Sequence, residues 1–230
     1  MGDVTTAEEH VRQGRLVAII RVPHLTRESA VAMTDVLVNA GIRALEFTLT
    51  STGALDAVAA AVGAAGGRAA VGAGTVLSED QVKAVADVGG DFIVSPHVSP
   101  AIIERAHAAG LLALPGALTP TEVQLAVESG ARMVKLFPAQ PAGPAYLQTL
   151  RGPFPDVDFV PTGGVGLADI TGFLAAGAVA VALGSSLVRS TDDLDGLRGR
   201  ARAAVAAVAS HGSDEGCATA KTNLDNHRPV

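Results

Sequence analysis

The chain has 230 residues, 48% of them hydrophobic and 17% charged, with a formal net charge of -6 at pH 7. Such a composition supplies an ample core, and an acidic balance without a long basic run argues against nucleic acid or an anionic membrane as partner. No apolar run reaches transmembrane length, and an N-terminus carrying Asp3, Glu8 and Glu9 lacks the character of a signal peptide, so a cytoplasmic location is expected. The single cysteine, Cys217, excludes an intrachain disulfide and lies in a polar C-terminal stretch that suggests neither a metal cluster nor a catalytic thiol.

In chain order, a short helix is expected at about 5 to 13, then short β-branched runs alternate with Ala-rich amphipathic stretches. Strands are predicted at about 16 to 21, 43 to 48, 69 to 73, 91 to 94, 112 to 115, 132 to 136, 158 to 161 and 179 to 183. Helices fall at about 26 to 40, 52 to 65, 78 to 89, 99 to 109, 119 to 129, 143 to 151, 167 to 176 and 192 to 209. Runs such as Leu16-Val-Ala-Ile-Ile20 and Ala178-Val-Ala-Val-Ala-Leu183 suit a parallel sheet covered on both faces. The pattern predicts an α/β protein, a (β/α)8 TIM barrel with a short N-terminal helix capping its bottom, in one domain over 1–210. Its rival is an open doubly wound sheet, which usually carries a Gly-rich turn after strand 1, where this chain has Arg21-Val-Pro-His24. Residues 211–230 are polar and aperiodic and are expected to form a disordered tail.

Chemistry in such barrels collects at the carboxyl ends of the strands. Those ends carry Arg21, Glu46 and Thr48, Gly72 to Thr75, Ser95 to His97, Pro115-Gly116, Lys135 to Pro138, Pro161 to Gly164 and Gly184 to Ser186. Lys135, in Ala131-Arg-Met-Val-Lys-Leu-Phe-Pro138, ends an apolar run that reads as a buried strand. Burial disfavours the ammonium, and a neutral lysine is a nucleophile toward carbonyl carbon. Keeping it neutral at pH 7 requires about 4 kcal/mol of differential environment; otherwise it is a strand-end lysine whose head reaches water. Glu46, in Ala44-Leu-Glu-Phe-Thr48, is an inward carboxylate that serves either as a structural ion pair for Lys135 or as a proton shuttle with a raised pKa. Gly163-Gly164 and Gly184-Ser185 follow the last two strands, where backbone N–H groups commonly hold a phosphate. His24, His97 and His107 show no ligand spacing with acidic partners, so no metal is expected; His97 reads as a loop contact.

These residues resemble the class I aldolases acting on 2-keto-3-deoxy-6-phosphogluconate (KDPG) and 4-hydroxy-2-oxoglutarate (KHG). The likeness runs over about residues 8 to 208 and is carried, in order, by Leu45-Glu-Phe-Thr48, Val71-Gly-Ala-Gly-Thr-Val76, Val94-Ser-Pro96, Pro115-Gly116, Val134-Lys-Leu-Phe-Pro138, Gly152-Pro-Phe-Pro155, Phe159-Val-Pro-Thr-Gly-Gly164 and Gly184-Ser185. By that resemblance Lys135 is the Schiff-base lysine and Glu46 the general acid/base. Thr75 and Arg21 hold the pyruvyl carboxylate, Phe137 forms an aromatic wall, and Thr162 contacts substrate and bears on stereochemistry at C4. Gly163, Gly164, Gly184 and Ser185 bind phosphate. One departure is Thr50, which stands where many members carry a carboxylate-binding arginine four residues after the glutamate; a rim ion pair is the other reading of Arg21.

The resemblance implies a cofactor-free lyase of the Entner–Doudoroff pathway in carbohydrate metabolism. Its substrate is a phosphorylated 2-keto acid, pyruvate is a product, and the assembly is a homotrimer. Preference among phosphogluconate, phosphogalactonate and hydroxyoxoglutarate substrates stays open. The remaining alternatives are a phosphate-binding barrel isomerase or synthase without a covalent lysine, and a non-catalytic binding scaffold.

Overall fold

The computed structural model describes residues 4–222, with side chains from 6 to 211. The elements run α1 (Val4–Gly14), β1 (Leu16–Ile20), α2 (Arg27–Asn39), β2 (Ala44–Thr48), α3 (Ala54–Ala65), β3 (Ala70–Gly74), α4 (Glu79–Asp87), β4 (Phe92–Val94), α5 (Pro100–Ala108) and β5 (Leu112–Leu114). They continue with β6 (Gly116–Ala117), α6 (Pro120–Glu128), β7 (Met133–Leu136), α7 (Gly143–Arg151), β8 (Asp158–Pro161), a 3-10 turn (Leu167–Asp169), α8 (Ile170–Ala175), β9 (Val181–Leu183) and α9 (Leu194–Thr222). Local chemistry sets several starts: Thr26, Ser78 and Thr119 accept hydrogen bonds from backbone N–H groups as N-caps of α2, α4 and α6.

All strand pairings are parallel, in a six-stranded sheet ordered β5-β4-β3-β2-β1-β9 and a three-stranded sheet ordered β6-β7-β8. The fifth strand, predicted at 112 to 115, ends before Pro115, which has no N–H to give a ladder, and β6 beyond it was not predicted. An isolated parallel bridge joins Thr162 to Ala182, beyond the end of β8 and within β9. The observed architecture is therefore an α/β fold with parallel half-barrel sheets, coarser than the closed ring expected from the sequence.

Two-residue periodicity assigns each strand two faces, and the packing follows it. Leu16, Ala18 and Ile20 of β1, Leu45 and Phe47 of β2, and Val134 and Leu136 of β7 belong to one buried cluster, which includes Met33 and Leu37 of α2 and Val58 and Ala61 of α3. Val17, Ile19, Ala44, Ala70, Phe92, Met133, Val160 and Ala182 form a second cluster on the opposite strand faces, joined by Ala7 and Val11 of α1. Alternation puts Glu46 on the face of Ala44 and Lys135 on the face of Met133, so both charged groups share that inner face. Helix α1 closes the end where strands begin, through Ala7 and Val11, through Glu8, which pairs with Arg132, and through Arg12, which pairs with Asp158 of β8.

Helix α9 extends to Thr222, into the stretch where a disordered tail was expected from residue 211. Segment 211–222 contains no proline, and Ala218, Ala220 and Lys221 are good helix formers despite two glycines, so lack of hydrophobic periodicity did not end the helix. Residues 223–230, and the Cys217 side chain, lie outside the described residues. No helix among the described residues is long and apolar enough to cross a membrane.

Candidate active site

A cavity of about 260 Å³ opens where β1, β7, β8 and β9 end. Ile19 and Arg21 line one side, Lys135 and Phe137 another, and the rest is made by Thr162 to Gly166 and Gly184 to Ser186. Eight residues singled out from sequence thus meet in one place: Arg21, Lys135, Phe137, Thr162, Gly163, Gly164, Gly184 and Ser185.

Lys135 is only 4% exposed, and its Nζ lies 4.6 Å from the centre of the Phe137 ring. Burial lowers its pKa; the negative charge of Glu46 opposes that, and Arg21 adds to it. Glu46 is 1% exposed, and burial raises its pKa against the opposing influence of Lys135 and then Arg21. Its Oε1 has no hydrogen-bond partner, and no ion pair within 4.0 Å joins it to Lys135 among the described residues. A buried carboxylate oxygen without a partner is costly when charged. The geometry is therefore that of two mutually influencing but unlocked groups, and the contact pair expected on the structural reading of Glu46 is not formed.

Space for that carboxylate comes from β3. Gly74 lies on the neighbouring strand, paired with Thr48, and a Cβ there would fall 1.7 Å from Glu46 Oε1. The next residue, Thr75, has a left-handed backbone (φ 59°), an unfavourable region for a β-branched side chain. Thr75 is half-buried, and neither it nor Glu46 lines the cavity, so these are the two sequence-selected residues that the site's walls do not include. Thr50 is exposed and donates its hydroxyl to Thr48 Oγ1 at 3.2 Å, leaving Arg21 as the guanidinium lining the cavity.

The glycine loops are built for close backbone approach. Gly163 and Gly164 both have positive φ (93° and 75°), and a Cβ on either would strike Phe137 at 2.9 Å or Gln140 Oε1 at 2.5 Å. Backbone bonds from Ala139 to Thr162 O (2.8 Å) and from Gln140 to Gly163 O (3.0 Å) hold the lysine loop against the Gly-Gly loop. Thr162 is buried, with its hydroxyl donated to Val160 O at 3.0 Å.

Residues 7–197 match the protein family described as KDPG and KHG aldolase. The chain belongs to that family. It is 37% identical over 193 residues to a probable 2-dehydro-3-deoxy-6-phosphogalactonate aldolase of Rhizobium meliloti, covering 84% of this chain and 90% of the relative. It is also 37% identical over 185 residues to the KHG/KDPG aldolase of Escherichia coli, covering 80% and 85%. Among solved structures, the native KDPGal structure superposes with a TM-score of 0.82 at 33% identity, over 86% of this chain and 96% of that one.

Within this aldolase fold, the sequence reading missed three wall residues, Ile19, Val165 and Gly166, and named Ser186 at a strand end without giving it a role. Ile19 was legible, since it stands two residues before Arg21 on the same strand face. Ser186 adjoins Ser185 and donates its hydroxyl to Val165 O at 2.8 Å, bracing the two glycine loops together. Val165 and Gly166 carried no signal beyond their place after Gly164. His97 lies on an exposed loop, with its N–H donated to Ser95 Oγ at 3.3 Å. Among the described residues no group of three His, Cys, Asp or Glu side chains could hold a metal ion.

Proposed function

We propose that this chain is a class I aldolase cleaving 2-dehydro-3-deoxy-6-phosphogluconate to pyruvate and glyceraldehyde 3-phosphate through a Schiff base on Lys135. The observation that carries this reading is a lysine almost wholly buried in a cavity wall, its pKa lowered, beside a buried carboxylate whose pKa is raised. Neutral Lys135 attacks C2 of the keto acid to give a carbinolamine, and Glu46 supplies the proton with which water leaves. The resulting cationic imine is an electron sink. Glu46, directly or through water, takes the proton of the C4 hydroxyl, the C3–C4 bond breaks, and its electrons form the enamine as glyceraldehyde 3-phosphate departs. Protonation at C3 and hydrolysis return pyruvate and free Lys135.

Arg21, with Thr75 at the rim, holds the carboxylate, Phe137 walls the pyruvyl end, and Thr162 bonds the substrate near C4. Gly163, Gly164, Gly184 and Ser185 hold the phosphate through backbone groups at the far side of the cavity. The steps so written use no metal or cofactor. The cleavage so written is the Entner–Doudoroff step, and a cytoplasmic location is proposed with it.

The two sheets read as one closed (β/α)8 barrel. Support comes from the single residue, Pro115, between β5 and β6, and from the Thr162–Ala182 bridge between the β8 and β9 ends. Counting β5 and β6 as one strand gives eight. A homotrimer is the assembly proposed.

A second substrate is favoured by the 37% identity to a probable phosphogalactonate aldolase. That substrate is the C4 epimer, whose hydroxyl would meet Thr162 differently. The test is pyruvate release from each epimer and from 4-hydroxy-2-oxoglutarate. Cleavage of a phosphorylated epimer by the wild type, lost in Lys135→Ala, is the expected result. Turnover comparable to wild type in Lys135→Ala would contradict the covalent mechanism, and failure of the wild type on both epimers would move the chain toward non-covalent phosphate-binding barrels.

A further inference from the structure

The residues after β9 form one helical turn: Leu187 and Val188 both donate their N–H to Gly184 O at 2.9 Å, and Gly184, Ser185 and Ser186 at its start line the cavity. A single turn fixes several backbone dihedrals for few hydrogen bonds and does not hold its own geometry. Whatever grips its far end decides where its leading N–H groups point. One grip is the Ser186 hydroxyl on Val165 O. The Leu187 and Val188 side chains are buried in the core, and a polar grip on the far-end backbone comes from outside the site, where Arg200 of α9 donates Nε–H to Leu187 O at 2.7 Å.

Arg200 is itself held. Its side chain is 16% exposed, and its Nη2 stands 2.9 Å from Asp193 Oδ2, an ion pair by distance without hydrogen-bond alignment. Asp193 in turn accepts from Gly196 N–H through Oδ1 (3.1 Å) and from Leu197 N–H through its carbonyl (2.9 Å), at the start of α9. Hydrogen bonds from a charged donor are the stronger kind, and a guanidinium's planar donors can serve two acceptors at once in fixed geometry.

We infer that Arg200 is a positioning residue for the phosphate end of the site, fixing the Gly184–Val188 turn through the Leu187 carbonyl from outside the cavity lining. The inference rests on the reading of that turn as phosphate-binding. Loss of Arg200 lets the turn rotate, so its amides meet the phosphate off line, while Lys135 and the pyruvyl end are untouched. A residue that served only to fasten α9 would affect both ends of the substrate alike.

The experiment compares wild type with Arg200→Met in two measurements: KM and kcat for the phosphorylated keto acid, and the pyruvate concentration giving half-maximal borohydride trapping on Lys135. The expected result is a rise of about tenfold in KM for the phosphorylated substrate, the loss of one charge-assisted hydrogen bond, with kcat and the pyruvate half-saturation each within about twofold. Unchanged KM, or equal shifts for substrate and pyruvate, would overturn the assignment. If Arg200→Met does not fold, Arg200→Lys decides. Its ammonium cannot reproduce both contacts, so a selective rise of about threefold in KM supports the role, and no selective rise overturns it. A wild type that traps pyruvate but neither cleaves nor is inhibited by phosphorylated keto acids would retire the phosphate reading itself, a failure distinct from that of Arg200.

Discussion

Burial moves Lys135, which lines the cavity, and Glu46, which is buried on the same inner strand face without lining it, in opposite directions, Lys135 down and Glu46 up, so each spends more of its time neutral near physiological pH than it would in water. The sign of their coupling gives a pH prediction. Negative charge on Glu46 raises the lysine pKa, so Glu46→Gln removes a force that keeps Lys135 protonated. The pH midpoint for forming the pyruvate adduct should shift downward in that variant. Steady-state turnover should nevertheless fall by roughly 10²-fold or more, the usual contribution of a positioned acid/base. Adduct formation against pH, with kcat from the same preparation, tests both halves; an unchanged rate would return Glu46 to a structural role.

At this scale much of the site could be read from residues alone, because a lysine and a glutamate inside apolar strands have few innocent explanations. What could not be read was their separation. Spacing along two strands says that both side chains face inward, and it leaves open whether they touch. The absence of a close pair depends on side-chain geometry that only packing fixes.

Among the elements, β3 does the most for the site while contributing no charged group to it. Its register sets Gly72 beside Glu46 and Gly74 beside Thr48, and the missing side chain at 74 is the space the Glu46 carboxylate fills. Gly74→Ala should therefore displace that carboxylate and lower kcat, and should cost stability by about 1–3 kcal/mol as an overpacked core position. Thermal unfolding together with kcat checks this. A variant with wild-type turnover would mean that Glu46 has room to move without consequence.

The same scale shows what sequence patterns miss. All eight strand positions were evident from short apolar runs between amphipathic stretches, yet the short β6 beyond Pro115 was not, and the stretch from 167 to 176 begins as a 3-10 turn before α8. Both arise from backbone hydrogen-bond supply, to which hydrophobic periodicity is blind. The continuation of α9 to Thr222 is the converse case: propensity without an apolar stripe gave no periodic signal.

For the whole molecule, the parallel sheets bring strand ends that are far apart in sequence, from Arg21 to Ser186, around one cavity. That convergence is a property of topology, and it explains why motifs separated by many residues were readable as one constellation once a barrel was assumed. A homotrimer predicts a solution mass about three times the 23.0 kDa of one chain, measurable by light scattering coupled to size exclusion. A monomer or dimer mass would contradict that part of the account.

In the mechanism proposed, the buried amine of Lys135 becomes covalently bonded to substrate carbon. Borohydride reduction in the presence of pyruvate, followed by peptide mass spectrometry, tests it most directly. A single reduced pyruvyl adduct is expected on the peptide containing Lys135, absent when either pyruvate or borohydride is omitted and absent in Lys135→Ala. A folded wild-type protein that carries no adduct, or carries it on another lysine, would contradict the Schiff-base mechanism.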